Sequence, residues 1–150
     1  MEGLILYSNS PQMPKILAID FGLKRTGLAI SDDSNIFAFG LDTVDSRKLM
    51  DVLVQTVKKE KVGTLVLGEP KRLNTEDSHI SENVRQLKQV LEKQFPDQKV
   101  VLLDERFTSK MAAQSISFAG GGKKMKGDKG LIDKVSATII LQSYLQQINP

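Results

Sequence analysis

Apolar and polar positions along this chain switch between two periods, and each switch marks the edge of a predicted element. Lys15–Asp20 reads K-I-L-A-I-D, a short apolar run closed by an acid, and predicts a buried strand. The turn Phe21-Gly22-Leu23-Lys24-Arg25 leads to a second strand over 26–31. Asp32-Asp33-Ser34-Asn35 has turn chemistry, and 36–41 follows as a third strand. Strands this close in sequence form an antiparallel meander, because parallel pairing needs a longer crossover. At 46–59 the period becomes helical: Leu49, Leu53 and Val57 recur at i, i+4 and i+8, with Val54 beside them. Asp45 or Ser46 can cap that helix, and Lys58 and Lys59 suit its C-terminal dipole.

The alternation then repeats. Residues 64–67 form an apolar strand ended by Gly68-Glu69-Pro70, and 78–94 form a helix with Ile80, Val84, Leu87 and Leu91 on one face. Residues 100–103 are another buried strand, running into Asp104-Glu105-Arg106. A helix is predicted over 108–118, a Gly/Lys-rich loop over 120–129, and a final helix over 131–147. The order β-β-β-α-β-α-β-α-α predicts an α/β fold: a five-stranded mixed sheet with helices on both faces. The first strand should lie near its centre, between the second and the fourth. In such sheets sites gather at the carboxyl ends of the parallel strands, which here carry Asp20, Glu69 and Glu105.

Composition narrows the chemistry. The 150 residues contain no cysteine and one histidine, His79, so disulfides and Cys- or His-rich metal sites are excluded. A metal would have to sit on oxygen ligands, which favours Mg²⁺ or Mn²⁺. The net charge of +3 is compatible with a polyanionic partner. No apolar run approaches the roughly 20 residues that span a membrane, and the opening twelve residues lack the features of a signal peptide. Residues 1–12 read as an N-terminal extension, with Met13 a second candidate start and 13–150 a single domain, expected in the cytoplasm.

Asp20 ends an apolar strand, where a carboxylate is costly unless a partner or metal balances it. Gly22 and Gly27 let the backbone turn tightly and approach a ligand, and Lys24 and Arg25 could bind phosphate. A plain β-hairpin with a capping aspartate explains the same segment. Asp104-Glu105-Arg106 reads as a surface ion pair, or, beside Asp20, as a metal site with a phosphate clamp. Strands one and five are about 10 Å apart, a gap that a long Glu side chain largely closes. Asp133 opens the final helix, where acids are common for dipole reasons; Ile132, Val135, Ile139 and Ile140 would pack that helix on the sheet and leave Asp133 at the same rim. Glu69 reads as an auxiliary ligand or, more simply, as a solvent-facing loop carboxylate. Lys123, Lys124 and Lys126 could engage a phosphate backbone. His79 reads as a surface residue, and Ser78 and Ser81 lack a histidine–aspartate arrangement.

Three segments carry a family resemblance: D-F-G-L-K-R-T-G-L-A at 20–29, L-D-E-R-F-T-S at 103–109 and I-D-K-V-S-A-T-I-I-L-Q-S-Y-L at 132–145. In order and spacing they resemble the YqgF family, the Holliday-junction-resolvase-like pre-16S rRNA nucleases. The resemblance covers roughly 13–148. It implies an RNase H-like fold, a catalytic and metal-binding set of Asp20, Glu105 and Asp133, and a role in maturing the 5′ end of the small-subunit rRNA precursor. In the implied mechanism two Mg²⁺ or Mn²⁺ ions assist hydrolysis, with Arg106 and Arg25, then Lys24, neutralising the scissile phosphate. The chain departs from the family pattern in having Glu69 where leucine is usual and Thr75 where glycine is usual, leaving the substrate contacts of 71–77 open. A branched-DNA resolvase and a non-catalytic nucleic-acid-binding module are the alternatives, and a homodimer would suit a symmetric junction. An actin-like ATPase needs a second comparable domain, for which there is no room.

Overall fold

A computed structural model describes residues 13–70, 75–104 and 129–149, with the backbone alone at 75–78 and 129–133. The predicted extension 1–12, the predicted helix 108–118 and most of the Gly/Lys-rich loop lie outside the described residues. The strands are β1 (Lys15–Asp20), β2 (Arg25–Ser31), β3 (Ala38–Asp45), β4 (Val62–Glu69) and β5 (Lys99–Asp104). The helices are α1 (Leu49–Glu60), α2 (Thr75–Gln94) and α3 (Lys129–Ile148), with a 3₁₀ turn at Ser46–Lys48 before α1. The five strands form one sheet in the order β3-β2-β1-β4-β5. β1 pairs antiparallel with β2 and parallel with β4, so it is central, as its apolar run predicts.

Side chains of β1 alternate between two dry layers. Leu17 and Ile19 join Leu28, Leu65 and Leu67 under Leu49, Leu53 and Val57 of α1 and Val84 and Leu91 of α2. Ile16 and Ala18 join Ala29, Val66 and Leu103 under Ala137, Ile140, Leu141, Tyr144 and Leu145 of α3. One face therefore carries two helices and the other carries α3. Of the stripe predicted on the last helix, Ile139 and Ile140 are buried, Val135 is half-buried and the Ile132 side chain lies outside the described residues, while Ala137, Leu141, Tyr144 and Leu145 complete the packed face. The C-cap of α1 is Lys61, in the left-handed region at φ 55°, its N–H donating to the Val57 carbonyl.

Two boundaries differ instructively from the hydrophobic pattern. β3 begins two residues later than predicted and runs four further, because its polar end, Asp42–Asp45, pairs with β2 back to Arg25. Ile36 and Phe37 instead stand exposed in the hairpin, where both backbone N–H groups donate to Asp32 Oδ1. A bulge at Leu41 separates the Ala29–Gly40 pair from the Leu28–Asp42 pair, so the face to which β3 residues belong switches parity there.

The direction of α3 is fixed at its far end. Asn149 Nδ2 donates to the Asn35 carbonyl at 2.8 Å. Asn35 in turn accepts from Ser31 Oγ and donates to the Pro14 carbonyl, and Ser31 Oγ accepts from Ile16 N–H. The C-terminus of α3 is thus tied to the amino end of β1, and its N-terminus lies toward the carboxyl end. No helix among the described residues is long and apolar enough to cross a membrane. Because Leu141 is fully buried between α3 and the sheet, Leu141→Ala should cost about 2–5 kcal/mol in urea unfolding; a change below 1 kcal/mol would contradict the packing described.

Candidate active site at the carboxyl end of the central strand

The residues of β1 that pack under α3 are Ile16 and Ala18, and Asp20 continues that alternation at the strand's last position, half-buried. Its cross-strand partner on β2 is Gly27. On the other side, one step past the Ile19–Leu67 pair, comes Gly68, which pairs with Leu103 of β5. The carboxylate therefore stands between two positions that carry no side chain on the neighbouring strands. That is a suitable floor for a ligand approaching a strand-end acid.

The turn after Asp20 is built rigidly. A Cβ on Gly22 would fall 2.5 Å from the Arg25 carbonyl oxygen, so glycine is required there. Ser46 laces this turn to the end of β3: its Oγ donates to the Gly22 carbonyl at 2.6 Å and meets Thr26 Oγ1 at 2.8 Å, while its N–H donates to the Lys24 carbonyl. Arg25 lies two residues along β2 from Gly27 and so belongs to the Asp20 face; Lys24 is exposed beside it. Past the bulge, Thr43 pairs with Gly27 and Asp45 with Arg25, which brings both onto this face. Asp45 caps the 3₁₀ turn by accepting from Arg47 N–H and holds the Arg47 guanidinium through Nε at 3.1 Å and Nη2 at 2.8 Å. The Arg47 guanidinium holds the Asp45 carboxyl down at about 2. The sequence reading found Asp45 as a cap but missed Arg47.

Position 133 lies in the first turns of α3. Residues 133, 137, 140 and 144 share one helix flank by their spacing. The neighbouring flank, with Lys134 and Thr138, lies over Gly40 of β3. Position 133 is one turn, about 5.4 Å, upstream of Ala137 and hence toward the carboxyl end of β1. Its backbone is thus on the Asp20 face and at the Asp20 end. Asp104 follows the alternation of Val100 and Leu102, which pack with the α1 and α2 layer, so it belongs to the opposite face. Glu105, Arg106, Lys123, Lys124 and Lys126 lie outside the described residues.

The family profile described as "RuvX: Holliday junction resolvase" matches residues 14–147. The chain belongs to the RuvX family. Among its relatives, a Flavobacterium johnsoniae protein is 47% identical over 133 residues, covering 89% of this chain and 96% of the relative; a Porphyromonas gingivalis protein is 48% identical with the same coverage. Both are named "Putative pre-16S rRNA nuclease". In fold the chain is similar to T. thermophilus RuvC solved with a Holliday junction substrate, with a TM-score of 0.56 at 12% identity, over 89% of this chain and 96% of that one. A second T. thermophilus RuvC structure gives 0.54 at 10% identity. The RNase H-like α/β sheet read from the three motifs is therefore borne out, as is the family.

Within this RuvX-family chain, Glu69 corrects the sequence reading. It is neither a solvent-facing loop carboxylate nor on the Asp20 face. It is the last residue of β4, 3% exposed, and follows Leu65 and Leu67 onto the α1 and α2 side. Ser81 Oγ donates to Glu69 Oε1 at 3.1 Å, and Arg85 reaches the same oxygen from Nε at 3.2 Å and Nη2 at 2.9 Å. The buried glutamate is thus held by Ser81 and Arg85 of α2. Removing Arg85 leaves a buried carboxylate short of charge balance. Arg85→Ala should lower stability by about 1–3 kcal/mol in chemical unfolding, and Glu69→Leu in that background should recover most of it; no recovery would contradict the pairing. For Asp45 the sign is equally definite. Its folded value lies below the ordinary 3.8, so the pairing is complete above that value and is lost only as pH falls through about 2. A carboxyl-carbon NMR titration of Asp45 should have its midpoint near 2 and move toward the ordinary value in Arg47→Ala; an ordinary midpoint in the unmodified protein would refute it.

Proposed function

We propose that this RuvX-family chain is a cytoplasmic, divalent-metal-dependent nuclease that hydrolyses phosphodiester bonds in structured nucleic acid and trims the 5′ end of pre-16S rRNA. The reading rests on one observation: Asp20 closes the central strand between Gly27 and Gly68, on the face and at the end where α3 carries position 133. The relatives named as pre-16S rRNA nucleases favour the RNA substrate, and the family description favours a branched one.

The donor set fits Mg²⁺ or Mn²⁺: the residues proposed to hold metal are Asp20, Glu105 and Asp133, all oxygen donors, in a chain with no cysteine and one histidine. Bound divalent ions would supply a more acidic attacking water and balance the charge that develops on the leaving 3′ oxygen. Asp20, Glu105 and Asp133 would hold the ions through their carboxylates. Arg25, on the Asp20 face, and Arg106 offset charge on the scissile phosphate, and Lys24 adds a longer-range cation. The lysines at 123, 124 and 126 steer the backbone of the substrate.

Asp20→Asn keeps the size of the side chain and removes its charge. Cleavage of a pre-16S 5′-leader RNA in Mg²⁺ or Mn²⁺ should fall by about 10²–10³-fold or more, with the melting temperature within a few degrees of the parent. Chelator should abolish cleavage by the parent, and a four-way DNA junction assayed in parallel should be cut more slowly than the RNA. Parent-like cleavage by the Asn variant, or cleavage in chelator, would overturn the assignment; faster cutting of the junction would favour the resolvase reading. Binding without cutting in either metal would favour a non-catalytic module.

A further inference from the structure

A groove opens beside the Asp20 end of the sheet, between the turn that follows β1 and the junction of β3 with α1. Its walls include Leu23, Lys24, Arg25, Thr43, Asp45 and Arg47. Three of these side chains are cationic and one is anionic, and the next residue, Lys48, adds another positive charge. The groove is continuous with the Asp20 face. Asp20, Gly27 and Thr43 form one row across β1, β2 and β3, and Arg25 and Asp45 form the row above it. Thr43 lies two strand spacings, about 10 Å, from Asp20. Gly27, between them, puts no side chain in the way. The bulge at Leu41 makes this possible, since it turns Thr43 and Asp45 rather than Asp42 and Val44 onto this face.

Arg47 is prepared for an anion rather than occupied in stabilising the fold. Its side chain is 88% exposed, so its ion pair with Asp45 contributes little to stability. Asp45 nonetheless fixes the plane of the guanidinium through Nε and Nη2. Two of the five N–H donors are used, leaving three for another acceptor, and the entropy of ordering a long side chain is already spent. Ser46 sets the width of the groove by bonding to the Gly22 and Lys24 carbonyls on its other wall. A fixed fork, two further cations and a row that passes over Gly27 to a strand-end carboxylate suit a chain of phosphates.

We propose that this groove carries the phosphodiester backbone of the substrate strand flanking the cut, with Arg47, set in place by Asp45, as a phosphate contact. The proposal rests on the nuclease reading for what happens at Asp20, but binding in the groove is measured separately. The probe is a fluorescein-labelled hairpin RNA with a single-stranded 3′ extension, titrated with the full chain carrying Asp20→Asn across a range of salt concentrations. Adding Arg47→Ala should weaken binding about tenfold and make the slope of log affinity against log salt shallower by about 0.7. Arg47→Lys should recover most of the slope but only part of the affinity. Lys58→Ala removes the same charge nine residues along α1, about 14 Å from the Leu49 end, and should change neither. Circular dichroism confirms that each variant is folded. An Arg47→Ala variant equal to its parent in affinity and slope, or an equal loss in Lys58→Ala, would overturn the groove. If the unmodified chain cleaves RNA while Arg47→Ala binds normally, the groove alone fails; if the binding effect appears but no metal supports cleavage, the nuclease reading alone fails. A chain that binds no RNA removes both.

Discussion

Everything at the active end follows from β1 being buried on both of its faces. Leu17 and Ile19 lie under α1 and α2, and Ile16 and Ala18 under α3, so polar side chains stand in the strand only at its two ends, Lys15 and Asp20. The same alternation puts Asp20 on the α3 face. The direction of α3, tied at Asn149 to Asn35, brings the beginning of that helix to the same end of the sheet. A carboxylate and a helix start from distant parts of the sequence are thereby joined by packing, before any ligand is considered.

Two strand-end carboxylates illustrate how surroundings divide roles. Asp20 has glycines, Gly27 and Gly68, as its neighbours in the row across β2 and β4. Glu69, on the adjacent strand but on the opposite face, is held by Arg85 and Ser81 and acts as a brace between β4 and α2. The cationic residues follow the same division. Arg85 is committed to a buried acid, whereas Arg47 is held by an exposed one and retains donors for a partner.

The central strand, the stripes of α1 and α2, part of that of α3, and the order of the sheet were legible because burial imposes periods of 2 and 3.6 on the residues that experience it. Legibility failed where pairing rather than burial decides. The polar end of β3 is held by hydrogen bonds to β2, and its bulge at Leu41 leaves no hydrophobic trace. Glu69 looked solvent-facing because the two donors that stabilise it, Ser81 and Arg85, are on α2, 12 and 16 residues away. Arg47 was missed for a related reason: an i, i+2 pair across a cap is ordinary in sequence, and only the pairing of Asp45 with Arg25 brings the guanidinium that Asp45 holds to the groove that Arg25 also lines. The proposed trio of Asp20, Glu105 and Asp133 rests chiefly on a family pattern, since each acid alone also has an ordinary structural explanation.

The central claim is that positions 20, 105 and 133 meet around divalent cations. The most direct measurement is Mn²⁺-induced paramagnetic broadening of assigned backbone amide resonances in the unmodified chain. The account predicts that amides at 20, 105 and 133 broaden first and together at low Mn²⁺, while those around Glu69 and Arg85 on the opposite face persist. Broadening centred on Glu69, or broadening at Asp20 that leaves 105 and 133 unaffected, would contradict it.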